Sequence, residues 1–422
     1  MVLKENYLKN KLIYNIIILA ILYFTNCFLG PFVYFVYPLL LVFVLVDNLQ
    51  NGLTYIIFCL PFIMINKEIS EILFFICVFV YAIKLLFTVF IKEKEKINKS
   101  ILILIGCLIV YMCLPFGEYN LNLPIKIFMF LFVFIGLILI GKRQQLIRFD
   151  FNIKILAYAL IVSAVFGLTY FISPYLKTVI VTVNNNQFLR YQALLTNTNV
   201  LAMFCEITLA FLAYYILTKK NKLQYLILYI LIALIGCCTF SKTFLLLFSL
   251  ITFVLFVGSI KKYPKTTLTL LALGLFAIGL LMVIKPNITN SIFKRFTGGE
   301  NSFKSFEDFL NVLTTYRYGR WKSYSKYIFT NSIFNLIFGY GVGTPMYIEG
   351  SELFIGNIHN ALLSLIFQMG LVGLILFTTI LVLIFKGYKK ENVKVSKWII
   401  LPILIICLIL SVEDAIFFTT IF

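Results

Sequence analysis

The segment from Lys285 to Gly373 decides how this chain is read. It carries YRYGRWKSY (Tyr316 to Tyr324), GYGVG (Gly339 to Gly343) and IHNALLSLIFQMGLVG (Ile358 to Gly373), the last holding the protein's single histidine, His359. It is the one long polar interruption in an otherwise apolar sequence. At about seventy residues between hydrophobic runs it is too long for a turn, and too rich in aromatics and arginine for a passive linker. The segment reads as a cap over a membrane-embedded bundle.

The rest of the chain supports that contrast. Hydrophobic residues make up 62% and charged residues 13% of the 422, too little polar cover for a soluble surface. Apolar runs of roughly 16 to 22 residues recur, each long enough at 1.5 Å per residue to cross a hydrocarbon core of about 30 Å as a helix. Strand-period alternation is absent. The expected spans are Leu12 to Gly30, Phe32 to Val46, Gly52 to Ile65, Ile72 to Ile91, Ile101 to Phe116, Ile125 to Ile140 and Ile153 to Ile172. They continue with Asn199 to Thr218, Leu223 to Phe240, Phe244 to Ile260, Thr266 to Ile284, His359 to Phe385, and a last one from Trp398. The fold class is therefore an all-α polytopic membrane protein of about 12 to 14 transmembrane helices. Residues 1–284 form spans with short loops, 285–357 the large extracytoplasmic loop with amphipathic helices, and 358–422 the C-terminal spans.

The net charge of +19 sits mostly in short basic blocks between spans, so it reports orientation and not nucleic-acid binding. With the N-terminus inside, Lys4 to Lys11, Lys92 to Lys99, Lys142 to Lys154, Lys219 to Lys222, Lys261 to Lys265 and Lys386 to Lys397 all fall on the cytoplasmic side. The basic N-terminal start lacks a small-x-small cleavage site and is expected to be an uncleaved span. The nine cysteines lie almost wholly in apolar runs, which gives neither a disulfide framework nor a metal site. Two segments then face outward, 173–197 and 285–357.

In the first outward segment, Arg190 and Gln192 precede a polar run that ends where a helix begins at Asn199, with Asn197 or Thr198 as its N-cap. A helix N-terminus beside an arginine favours an anion; an interfacial arginine reaching to lipid headgroups has the same sequence appearance. Lys242, in the tight turn TFSKT (Thr239 to Thr243), faces the same side and suits either that anion or lipid phosphate. Phe303 to Phe309 and Tyr316 to Ile328 show the aromatic spacing of amphipathic helices lying on the bilayer surface. On the second, Arg317 and Arg320 are one turn apart and can converge on one anion, with Trp321 beside them. The glycines 339, 341 and 343 make a tight turn, without the lysine of a nucleotide-binding loop. His359 and Asn360 open a spanning helix, where an ionisable group is costly unless it faces a polar cavity. Neutral imidazole suits proton removal from a sugar hydroxyl.

The order of these motifs resembles the bacterial O-antigen polymerase and ligase superfamily, the Wzy-type polymerases and WaaL-type ligases. The resemblance runs from Arg190 with Asn199, through Ser241-Lys242-Thr243 where the family has arginine in place of Lys242, to Arg317 with Trp321. It goes on through Gly339, Gly341 and Gly343 and closes with His359, Asn360 and Leu363, then Gly370 and Gly373. It implies a glycosyltransferase at the outer face of a bacterial cytoplasmic membrane, acting on undecaprenyl-diphosphate-linked oligosaccharide with no cofactor, metal or nucleotide. Under it, Arg190, Arg317, Arg320 and Lys242 meet the diphosphate, and His359 is the general base. Asn360, Asn199, Trp321, Gly341 and Gly343 position substrate. A flippase and a chain-length regulator of the same pathway are the implied partners, besides membrane lipid. Polymerase is the favoured activity. A ligase transferring to lipid A core is the alternative, and an exporter of the same lipid-linked glycan is the rival from another class, disfavoured because no hydropathy repeat is visible and few charges lie in the spans.

Overall fold

The computed structural model describes residues 2–29, 33–62, 67–88, 99–114, 149–171, 180–183, 188–195, 197–219, 222–260, 305–314, 317–342 and 360–387. The chain is mainly helical over these residues. Among the described residues before the long polar segment, nine helices coincide with expected apolar runs: α1 Val2–Leu29, α2 Val33–Val46, α3 Leu49–Cys59, α4 Lys67–Phe87, α5 Lys99–Met112, α6 Phe149–Gly167, α7 Thr198–Thr218, α8 Leu223–Cys238 and α9 Lys242–Ile260. In the long polar segment lie α10 Phe306–Leu313, α11 Arg317–Thr330 and α12 Ile333–Phe338, followed by α13 Ala361–Gly387. Among the described residues, five helices contain a stretch long and apolar enough to cross a membrane: Asn10–Leu29, Asp150–Gly167, Thr198–Thr218, Lys242–Ile260 and Leu362–Thr379. The expected spans at Ile125, at Thr266 and from Trp398 lie outside the described residues, as do His359 and Gly343.

The helical reading agrees with most of the described residues, but the expectation of no strands is corrected: β1 Ile180–Val183 and β2 Phe188–Tyr191 pair antiparallel, with Val181 opposite Arg190. The physical signal was present in β-branched IVTV and in FLRY on either side of an asparagine-rich stretch of sequence, short enough to hide among apolar spans.

Between apolar helices in lipid, water supplies no driving force, so close packing and interhelical hydrogen bonds must hold the bundle. Both are present. Gly52 lets α3 approach α4, and a Cβ there would stand 3.2 Å from the Tyr81 ring. Tyr23 and Phe62 stack with centroids 4.5 Å apart.

Polar links gather at one end of the bundle. Asp47, after α2, pairs with Lys11 and accepts from the Tyr55 hydroxyl at 2.5 Å, while Asn15 donates to that hydroxyl at 2.9 Å. Lys84 of α4 donates to the carbonyls of Val44 at 2.7 Å and Leu45 at 2.8 Å, placing a cation on the negative end of the α2 dipole. Gln50 and Thr54 of α3 both reach Asn152 Oδ1 of α6, at 2.8 and 3.0 Å.

Helix α11 does not turn its apolar face to lipid. Tyr324 and Ile328 are fully buried against Ile366 and Phe367 of α13, with Trp321, Tyr327 and Tyr340 packed around them. The aromatic spacing read as a bilayer-facing stripe is thus the seam by which α11 lies on the bundle.

Helix α13 is broken at Gly370, whose φ of 62° and ψ of −170° are not helical. The three carbonyls before the break accept from outside the helix. Phe367 O takes Tyr340 N at 2.8 Å, Gln368 O takes Gly341 N at 3.0 Å, and Met369 O takes the Tyr111 hydroxyl at 2.8 Å. Irregular backbone within a long apolar helix is tolerated where protein satisfies it in this way.

Candidate functional site

Arg190 stands on β2, whose end is pressed onto α6. A Cβ on Gly167 would lie 2.5 Å from the Tyr191 hydroxyl and 3.1 Å from Ala193 Cα, and Tyr191 donates to Ala164 O. From there the guanidinium bridges two spans. Its Nε donates to Thr239 O at 2.8 Å and its Nη2 to Asn199 Oδ1 at 3.0 Å. Asn197 caps α7, its side chain accepting from Asn199 N at 2.8 Å, which is one of the two caps expected from sequence.

The turn that accepts Arg190 is strained and buried. Phe240 has φ 48°, and Ala193, three residues beyond Arg190, has φ 53°. Left-handed backbone at a non-glycine residue costs about 1–3 kcal/mol, so the surroundings hold both in place. Thr239, Ser241 and Lys242 are all buried.

Lys242 begins α9, where a cation opposes the helix dipole. Its ammonium donates to Val312 O in the last turn of α10, the negative end of that helix. This bond ties the turn between α8 and α9 to the long polar segment.

Helices α10 and α11 form a stitched hairpin. Asn311 Oδ1 accepts from Gly319 N at 2.7 Å, Thr314 Oγ1 accepts from Tyr318 N at 2.9 Å, and Lys322 pairs with Glu307 at 3.0 Å. These contacts set the first turn of α11, which carries Arg317 and Arg320, next to the Val312 carbonyl that holds Lys242.

Arg317 is half-buried, and burial first and the neighbouring Arg320 second push its pKa below the usual guanidinium value. Among the described residues no carboxylate lies within 4 Å of either guanidinium. Two like charges are thus held together at a helix N-terminus, a combination that an anion would relieve.

The remaining predicted residues fall as follows. Asn360 is buried and its Oδ1 accepts from Leu363 N at 3.1 Å, making it the cap of α13. Trp321 packs on the α11–α13 seam. Gly341, with φ 101°, makes its close backbone approach to Gln368 of α13. His359 and Gly343 are outside the described residues. Arg190 therefore links Asn199 of α7 to the turn that bears Lys242, Arg317 and Arg320 adjoin that turn through α10, and Trp321, Gly341 and Asn360 belong to the α13 side. Sequence reasoning missed Thr239, Val312 and Asn311, whose roles depend on backbone carbonyls and on an amide that no motif marks.

Among the described residues no group of His, Cys, Asp and Glu could hold a metal ion. Comparison with family models, with curated proteins and with solved structures found no match to this chain.

Proposed function

We propose that the protein is an integral-membrane glycosyltransferase that polymerises oligosaccharide repeat units carried on undecaprenyl diphosphate, at the outer face of a bacterial cytoplasmic membrane. The observation that carries the reading is the Arg317–Arg320 pair, held without a described carboxylate beside the turn that bears Lys242.

In this reaction an acceptor sugar hydroxyl attacks the anomeric carbon of the donor glycan. The bond from that carbon to the diphosphate oxygen breaks, and the lipid diphosphate leaves with the electron pair. Negative charge builds on the leaving group, and preorganised cations in a site of low dielectric stabilise it. Arg317 and Arg320 take that role here. Arg190 and Lys242, already engaged with Thr239 O and Val312 O, hold the turn against the hairpin and add field. His359 removes the proton of the attacking hydroxyl, and Asn360 fixes the start of the helix behind it.

The test is transfer in nanodiscs, with lipid-diphosphate-linked repeat units extracted from the host and products resolved by chain length. Wild-type protein is expected to lengthen the chains, and Arg317→Gln and His359→Ala to abolish this while remaining folded. Lengthening that survives both substitutions, or wild-type protein that moves no glycan, would overturn the reading.

A further inference from the structure

The surface beside the break in α13 points to a partner that the transferase reading does not require. Helix α12 is six residues long and two-faced. Leu336 turns inward onto the α11–α13 seam, while Ile333 is 77% exposed, Phe334 54% and Ile337 37%. From Ser332 to Gly341 the chain carries no charged residue. Large apolar side chains left open are unfavourable in water, and here three stand within five residues of a neutral segment.

The position of α12 supplies the occupant. It ends on the break itself, since a Cβ on Gly370 would lie 2.3 Å from Ile337 O and 2.5 Å from Gly339 N. Directly beyond the break, α13 exposes Leu371 at 36%, Ile375 at 62% and Val382 at 49%. These residues, at i, i+4 and i+11, form one stripe of a helix that is long and apolar enough to cross a membrane, the pattern of a lipid-facing side. The exposed α12 thus ends against the very helix that carries that stripe, at the point where the stripe begins.

We propose that α12 is an interfacial helix, with Ile333, Phe334 and Ile337 seated among the lipid acyl chains next to the headgroups. The Gly339–Gly370 crossing then marks the boundary between the lipid-facing length of α13 and the part covered by α11. Amphipathic helices of this kind bury an apolar face some 5–10 Å into the headgroup and acyl boundary. Helix α11, about 21 Å long at 1.5 Å per residue, runs from the Lys242 turn to this ledge, so the arginine pair at its far end is held over the bundle by two anchors. The inference rests on apolar exposure and helix placement, and stands whether or not the protein transfers glycans.

Ile333→Trp tests it in nanodiscs whose lipids carry bromine on acyl carbons near the headgroup. Emission is read as the difference from the parent protein, which has two tryptophans, and Ile375→Trp serves as the lipid-facing reference. The indole introduced by Ile333→Trp is expected to lose emission to brominated lipid as the one in the reference variant does, and to resist acrylamide added to the water. Quenching by acrylamide without quenching by brominated lipid would overturn the proposal. So would protection from both, the result expected if a second copy of the chain covered the ledge. Ile337→Trp gives an independent reading at the same ledge should Ile333→Trp not fold.

Discussion

Gly339 and Gly370 cross backbone to backbone, close enough that a Cβ on Gly339 would lie 2.4 Å from Gln368 O and one on Gly370 would lie 2.3 Å from Ile337 O. Both also have positive φ, 80° and 62°. Each glycine is needed twice, for its dihedral and for its lack of a side chain. Gly370→Ala and Gly339→Ala are each expected to destabilise the fold by at least about 1–3 kcal/mol, the cost of the dihedral alone. Thermal unfolding in nanodiscs checks this, and an unchanged midpoint for either variant would contradict the crossing.

Tyr111 locks the same crossing from α5. Its hydroxyl donates towards Phe338 O and towards Met369 O, so one side chain joins α5, the end of α12 and the break in α13. Tyr111→Phe removes the donor without changing the ring. The expected loss is about 1–3 kcal/mol, the cost of leaving a carbonyl unsatisfied, with faster proteolysis between Phe338 and Asn360 as a local readout. Equal cleavage rates in the two proteins would count against the lock.

Arg190 donates from two different nitrogens to two different spans. A lysine offers one ammonium on a flexible stem and cannot reproduce that fork. Arg190→Lys is therefore expected to lower stability by about 1.5–3 kcal/mol, one hydrogen bond to a charged donor. Under the proposed function it also slows transfer, whereas an arginine acting only as a positive charge would be replaced by lysine without loss.

Arg320 raises the cost of charging Arg317. Removing it in Arg320→Gln is expected to leave the unfolding midpoint unchanged or slightly higher, because a like-charge contact disappears. Pyrophosphate affinity should fall roughly ten- to a hundredfold, the equivalent of one hydrogen bond to a charged group. The two readouts move in opposite directions. A structural arginine would lower stability and leave anion binding alone. The linkage sign follows from the depressed Arg317 value: its protonated form is disfavoured in the folded state, so burying it costs stability at every pH below its folded pKa, and bound anion offsets that cost.

Local pattern and long-range contact were not equally legible in the sequence. Hydropathy located α2 to α9 and α13 to within about six residues at either end, and the C-terminal part of α1 though not its start at Val2, because a helix that fits lipid must carry its apolar run in consecutive residues. The Asn197 cap and helices α10 and α11 were also readable, since capping and aromatic periodicity are local. The strands at Ile180 and Phe188 were hidden by their four-residue length. The break at Gly370 was not foreseen, since a glycine inside an apolar run signals no dihedral until Gly339 crosses it. At the candidate site the sequence singled out Arg190, Lys242, Arg317 and Arg320 by charge. It could not show that Lys242 would meet a backbone carbonyl of α10, or that α11 would lay its aromatic stripe on α13.

The lock at Tyr111 also imposes an order on how the protein is made. The hydroxyl lies 227 residues before the carbonyl of Phe338 and 258 before that of Met369. While the intervening chain is still being added, the Tyr111 hydroxyl has neither acceptor. Closure of that side of the bundle must wait until α12 and the first turns of α13 have emerged. A chain stopped anywhere before Gly339 thus leaves α5 without its seal, and that side of the bundle closes only after the 227 residues from Tyr111 to Phe338 have been added.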